Sequence, residues 1–141
     1  MLKTFSIKEV AKKFDLSIST IRYYDKRGLL PFVAKNAAGY RIFTETDLNL
    51  IKTIVCLKNT GMSINNIKTY IELVMAGPSS IDERKKLLLN HRRQVLQEQQ
   101  VLADNLREVD FKIKKYESPD AESVIKNELE YVAREKKKLN L

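Results

Sequence analysis

Hydrophobic positions along the chain change their period as the sequence advances. Ile7, Val10, Ala11 and Phe14 recur at i, i+3, i+4 and i+7, the stripe of an amphipathic helix, and Ser6-Ile7-Lys8-Glu9 at its start is a capping-box pattern. Asp15-Leu16-Ser17 interrupts the stripe, and Ser17 is placed to cap a second helix that runs to about Arg27, with Gly28 suited to a left-handed end. Two short helices joined by a tight turn predict a helix-turn-helix. Pro31 then blocks helix continuation. Phe32-Val33 and Tyr40 to Phe43 are β-prone runs around Lys35 to Gly39, which predicts a hairpin wing with Asn36 and Gly39 in the turn.

Thr44 to Asp47 repeats the capping-box pattern and opens a third helix to about Thr60, with Leu48, Ile51, Ile54, Val55 and Leu57 as its buried face. Gly61-Met62-Ser63 breaks it. Ser63 caps a fourth helix through Ile64, Ile67, Ile71 and Val74, which Gly77-Pro78 ends. Beyond that point the period becomes seven: Ile81, Leu88, Val95, Leu102, Val109 and Tyr116 recur without a miss. The companion positions are polar early (Lys85, Arg92, Gln99) and apolar late (Leu106, Ile113). Such a heptad predicts a coiled coil, and an apolar stripe on a lone helix implies a partner, most simply a second copy. Ser118-Pro119 ends this helix and reads as the cap and first position of a last one, with Val124, Ile125, Leu129 and Val132 on one side. The expected class is mainly all-α: a winged helix-turn-helix domain with a small hairpin over residues 1–77, a dimerisation helix over 78–117 and a helical tail over 118–141.

Composition narrows the function. No apolar run approaches the roughly 18 residues of a membrane span, and the start lacks the apolar core of a signal peptide, so a cytoplasmic protein is expected. The single cysteine, Cys56, excludes a disulfide framework or a cysteine-rich metal site. The net charge of +8 is uneven. Residues 1–80 carry 12 Lys+Arg against 6 Asp+Glu, whereas residues 81–141 carry 14 against 12. A basic N-terminal half points to an anionic partner, nucleic acid among them. No paired carboxylates with a histidine, phosphate loop or nucleophile–base set appears, so no catalysis, metal or cofactor is assigned.

The candidate chemistry lies on the second helix. At 100° per residue, Ser19, Arg22, Tyr23 and Lys26 share one arc, with Thr20 and Arg27 at its edge, while Ile18, Ile21 and Tyr24 lie opposite. One face therefore packs and the other presents hydroxyls, an aromatic and cations. A major-groove reader needs this set, because arginine bridges two acceptors of guanine while hydroxyls reach phosphates or base edges. A solvated charged face on an ordinary helical domain is the plainer alternative.

The string S-x-S-T-I-R-Y-Y-D-x-x-G-L-L-P from Ser17 to Pro31, then G-Y-R-I-F from Gly39 to Phe43, then a helix and a heptad segment, resembles the MerR family of bacterial transcription regulators. The resemblance covers Thr4 to about Met75 in order and spacing and extends loosely to about Tyr116. It implies a dimer held by an antiparallel coiled coil, bound to double-stranded DNA at a palindromic promoter site where RNA polymerase also binds. It implies that Arg22 and Tyr23 contact the operator, and that Tyr40 and Arg41 grip phosphates from the wing. Ser6, Ser19 and Thr20 match further DNA-proximal positions. Lys35 and Asn36 stand at the wing tip, within reach of backbone oxygens, and Tyr24 is expected inside with its hydroxyl near the DNA. Activation in this family works by distorting the promoter, a deformation that costs on the order of a few kcal/mol.

The same resemblance frames what is sensed. Metal-sensing members use cysteines near the coiled coil. Residues 78–141 hold none, and His91, the only histidine, reads as a solvated residue on a long helix. Members that bind bulky drugs carry a large C-terminal domain, for which the short tail after Tyr116 leaves no room. Cys56 projects away from the apolar arc of the third helix, with Lys52 one turn before it. A nearby ammonium favours a reactive thiolate, whereas spacing alone favours an inert packing residue. Cys56 to Ser63 is similar to the branch of the family that answers aldehydes and other electrophiles through one cysteine in this helix, which makes Cys56 and Lys52 the candidate sensing pair. Two readings compete: the same DNA-binding regulator with a hydrophobic small molecule as effector, and a helical scaffold whose basic face binds an acidic protein.

Overall fold

The computed structural model describes residues 2–141. In chain order the elements are β1 (Thr4–Phe5), α1 (Ile7–Lys13), α2 (Ile18–Lys26), β2 (Ala34–Lys35), β3 (Arg41–Thr44), α3 (Glu45–Asn59), α4 (Ile64–Met75), a 3-10 turn (Pro78–Ser80), α5 (Ile81–Glu117) and α6 (Ala121–Lys138). The chain divides into two compact units, one ending at Val95 and the other spanning Leu96–Leu141.

The helix starts follow from capping chemistry. Ser6 accepts from the Glu9 amide while the Glu9 carboxylate accepts from the Ser6 amide, each at 3.2 Å. Thr44 and Asp47 make the same reciprocal pair at the start of α3, and Ser17 and Ser63 cap α2 and α4. Each such cap is worth about 1 kcal/mol because it satisfies an amide that has no partner within the helix.

The hairpin departs from expectation. Phe32 and Val33 form no strand; β2 begins two residues later, pairing Ala34 with Ile42 and Lys35 with Arg41. Phe32 and Val33 are instead half-buried against the core. A strand that the hydrophobic pattern did not predict, β1, pairs with the other edge of β3 (Thr4 with Thr44, Phe5 with Phe43), giving the order β1-β3-β2. Two residues are too few to show a period of two, so β1 is set by pairing and not by its own sequence. Phe43, fully buried, is the central strand's inward residue.

The core of the first unit is one cluster that includes Val10, Ile21, Leu29, Phe43, Ile51, Ile54, Ile67 and Ile71, all essentially inaccessible to water. At about 1.5–3 kcal/mol for each large apolar side chain removed from water, this cluster is the main source of cohesion. Val55, expected on the buried face of α3, is only partly covered.

The unit does not stop at residue 77. Leu87 and Leu88, on the first turns of α5, pack against the core, and Arg84 clasps the end of α4. Its Nη2 donates to the carbonyls of Val74 (3.1 Å) and Gly77 (2.8 Å), and its Nε donates to Ser80 Oγ at 2.9 Å. Buried Ser80 in turn points its hydroxyl at the Leu73 and Gly77 carbonyls. These contacts satisfy the last carbonyls of α4 and make the junction a hydrogen-bonded knot.

In the second unit, Ser118 does not cap α6 as expected. The cap position is Asp120, with no side-chain cap bond, and the Ser118 hydroxyl donates to the Asp120 carboxylate. Lys115 and Glu128 form an ion pair between the end of α5 and α6.

Gly28 terminates α2 at φ +81°, and a Cβ there would meet Lys68 Cε at 3.1 Å. Gly28→Ala should lower unfolding free energy by about 1–2 kcal/mol, read from urea denaturation, because the left-handed backbone penalises any L side chain.

Candidate nucleic-acid interface

The helix α2 is held from beneath by Ile21 and Tyr24, both buried, and by half-buried Ile18. Burial removes the Tyr24 ring from water and raises its hydroxyl pKa above the ordinary 10.0, with the neighbouring Tyr23 adding to the effect. Tyr24, expected inside with its hydroxyl near the DNA, is buried in the core. On the opposite face Ser19, Arg22, Tyr23 and Lys26 are exposed. The first turn is rich in hydroxyls: Ser17 Oγ lies 2.9 Å from Ser19 Oγ and 2.7 Å from Thr20 Oγ1. The exposed face therefore offers hydroxyls at the helix start, a guanidinium and a phenol in the middle and an ammonium near the end.

The wing is tied to this helix by charge. Arg41 Nε donates to Asp25 Oδ2 at 2.7 Å, with both side chains about three-quarters covered. The pair engages one edge of the guanidinium and fixes β3 against α2, so Arg41 carries a structural duty that the sequence reading did not assign. Asn36 is exposed at the wing tip and also holds the turn. Its side-chain oxygen accepts from the amides of Ala38 (3.1 Å) and Tyr40 (3.0 Å), which closes the wing turn and commits that oxygen internally. Lys35 is exposed on β2 opposite Arg41, and Tyr40 is among the most exposed aromatics, at 72%. Ser6 spends its hydroxyl oxygen on the α1 cap.

Arg27 was placed only at the edge of the outer face by its spacing. In the structure its guanidinium lies over the Tyr23 ring, 5.8 Å from the centroid, and donates to both Tyr23 Oη and Asn65 Oδ1 at 3.0 Å. Asn65 belongs to the first turn of α4, and no local pattern signals that contact.

Cys56 is a free, exposed thiol on α3, and Lys52 one turn earlier is exposed as well. One turn after Cys56, the Thr60 hydroxyl donates to the Cys56 carbonyl at 2.8 Å and also lies 3.2 Å from the Leu57 carbonyl. His91 is not the solvated residue its position suggests: it is partly buried, with Nε2 2.7 Å from Thr60 Oγ1. Either partner of that contact can supply the proton, depending on the ring tautomer. The reason for the departure is geometric, since this part of α5 lies against the end of α3, with Leu87 packed on the core and His91 facing Thr60. Among the described residues no set of three His, Cys, Asp or Glu side chains converges as a metal site.

The heptad positions divide by unit. In the first, Ile81 is exposed, whereas Leu88 packs partly on the core and Val95 is half-buried. Leu88 thus has an intramolecular partner in addition to its seam position. In the second, Leu102, Leu106, Val109, Ile113 and Tyr116 are all about half or more exposed, as are Val101 and Phe111, which the seam did not include.

Two short helices, a three-stranded wing and a helical support make this the architecture of a winged helix-turn-helix regulator. Residues 5–73 match the MerR HTH family regulatory protein family. An HTH-type transcriptional regulator of Haemophilus influenzae is 36% identical over 123 residues, covering 87% of this chain and 91% of the relative. The solved structure of HiNmlR, a MerR family regulator lacking the sensor domain and bound to promoter DNA, is 36% identical with a TM-score of 0.76, covering 84% of this chain and 94% of that one. A MerR family transcriptional regulator from Bacillus thuringiensis is 46% identical with a TM-score of 0.75, covering 81% and 100%. The chain belongs to the MerR family of transcription regulators.

Removing the carboxylate of Asp25 should leave Arg41 partly buried without its partner. Asp25→Ala is expected to cost about 1–2 kcal/mol in thermal or urea unfolding and to speed amide exchange across β2–β3, with exchange in α4 unchanged.

Proposed function

We propose that this chain binds double-stranded DNA as a homodimer at a palindromic promoter and regulates transcription by distorting that site for RNA polymerase. The observation that carries the reading is the outer face of α2, where Arg22, Tyr23 and Lys26 are exposed directly above the buried Ile21 and Tyr24. The HiNmlR likeness supports it, since that relative is bound to promoter DNA. Arg22 reads base edges by a bidentate contact, and Tyr23 and Lys26 reach base edges or phosphates. Ser6, Ser19 and Thr20 lie toward the backbone, and Tyr40, Lys35 and the free edge of Arg41 position the wing on phosphates. Two copies meet through Ile81, Val95, Leu102, Leu106, Val109, Ile113 and Tyr116, with Leu88 contributing where it is not covered by its own core. The exposed apolar face of the second unit supports this assembly.

The effector step in this reading is covalent modification of Cys56 by an electrophile, with Lys52 exposed one turn before it. With an aldehyde, Sγ adds to the carbonyl carbon and the carbonyl oxygen takes up the thiol proton. Exposure of the thiol supports access. A second reading has a specific feature in its favour. An open groove of about 400 Å³ beside α4 and the start of α5 is lined by Tyr70, Ile81, Leu88 and Leu89 and rimmed by Arg84 and Lys85, which suits a hydrophobic, acidic small molecule.

Binding is tested on a palindromic duplex selected from a random pool by the wild-type protein. Arg22→Ala should weaken it about 5- to 100-fold and narrow the preference over random duplex. Equal binding to both duplexes by the wild type would favour an acidic protein as partner instead. For the effector, Cys56→Ser should abolish induction by formaldehyde or methylglyoxal in a promoter-reporter assay. Full induction in that variant would remove the thiol from the mechanism and favour the groove.

A further inference from the structure

Arg27 lies just past the end of α2, yet its side chain reaches back and across. The guanidinium covers the Tyr23 ring, Nη1 donates to the Tyr23 hydroxyl oxygen, and Nη2 donates to Asn65 Oδ1 on α4. The two ends of the fork thus join the outer face of α2 to a separate helix. Three consequences follow for Tyr23. The residue is 45% exposed, yet its side chain is held by a cation 5.8 Å from the ring centroid and a hydrogen bond at its tip, so it is confined before any ligand arrives. One lone pair of its oxygen is occupied by Arg27, which leaves the O–H proton to donate outward. A guanidinium at the oxygen also draws electron density from it, which strengthens that O–H as a donor. A rigid, outward-donating phenol is matched to a phosphate or base acceptor, and confining it in advance lowers the entropic cost of contact.

We propose that Arg27, anchored by Asn65, is a positioning residue that presents the Tyr23 hydroxyl as a hydrogen-bond donor to DNA. The inference rests on the reading of Tyr23 as a DNA contact and adds to it the device that sets its geometry. Lysine does not replace Arg27 in this role, because a single ammonium has no planar fork to meet Tyr23 and Asn65 together. It does preserve the charge, which separates positioning from plain attraction to phosphate.

The experiment is a double-mutant cycle on the full chain with the selected palindromic duplex. Affinity is measured across a salt series for wild type, Arg27→Lys, Asn65→Ala, Tyr23→Phe and the Tyr23→Phe combinations with each, and thermal melts check that every variant folds. Arg27→Lys and Asn65→Ala are each expected to weaken binding about three- to tenfold with the salt slope unchanged. In the Tyr23→Phe background either substitution should change affinity less than about twofold, since the group being positioned is gone. Equal losses in both backgrounds would overturn the proposal and make Arg27 a contact in its own right. Full affinity in both Arg27→Lys and Asn65→Ala would overturn it too. Wild-type affinity in Tyr23→Phe alone would instead remove Tyr23 from the interface, and with it the basis of the proposal. If Asn65→Ala fails to fold, the Arg27→Lys arm of the cycle decides.

Discussion

Burial of Ile21 and Tyr24 under α2 is the constraint on which the exposed site depends. A nine-residue helix has little stability of its own, so its orientation is set by what it buries. With those two side chains seated among Val10, Ala11, Leu29 and the residues of α3 and α4, the opposite arc has one possible direction, and Arg22, Tyr23 and Lys26 face outward together. The apolar and the chemical residues alternate along the same helix. A shift of one residue in packing would bury Arg22 and expose Ile21, and the cost of burying an unpaired cation prevents it.

On that frame, a few charged and polar contacts turn loosely related pieces into one body. Asp25 pins the wing strand to α2, Arg27 joins α2 to α4, Arg84 closes α4 onto the start of α5, and His91 fastens α5 to the last turn of α3. Each links elements that are separated along the chain, and each uses a side chain that composition alone would assign to the solvated surface. The first unit accordingly extends to Val95 rather than ending at Gly77. The helix α5 starts within the first unit and runs on into the second. Cys56 lies one turn before Thr60, where α5 meets the end of α3 through His91.

The helices of this protein were legible in its sequence because their determinants are local: capping side chains three residues from the amides they serve, apolar residues at helical spacing, and glycines or a proline at the ends. The heptad of α5, the division of α2 into two faces and the outward projection of Cys56 came from the same counting, as did the family resemblance carried by Ser17 to Phe43. Tertiary structure alone decided the rest. It made a strand of Thr4–Phe5 by offering it the edge of β3, moved the hairpin strand from Phe32–Val33 to Ala34–Lys35, spent the Asn36 oxygen on the wing turn, and gave Arg27, Arg41, Arg84 and His91 partners on other elements. Periodicity reports which side of a helix is dry. It carries no record of which distant carboxylate, carbonyl or amide will stand opposite a given cation once the chain has closed on itself.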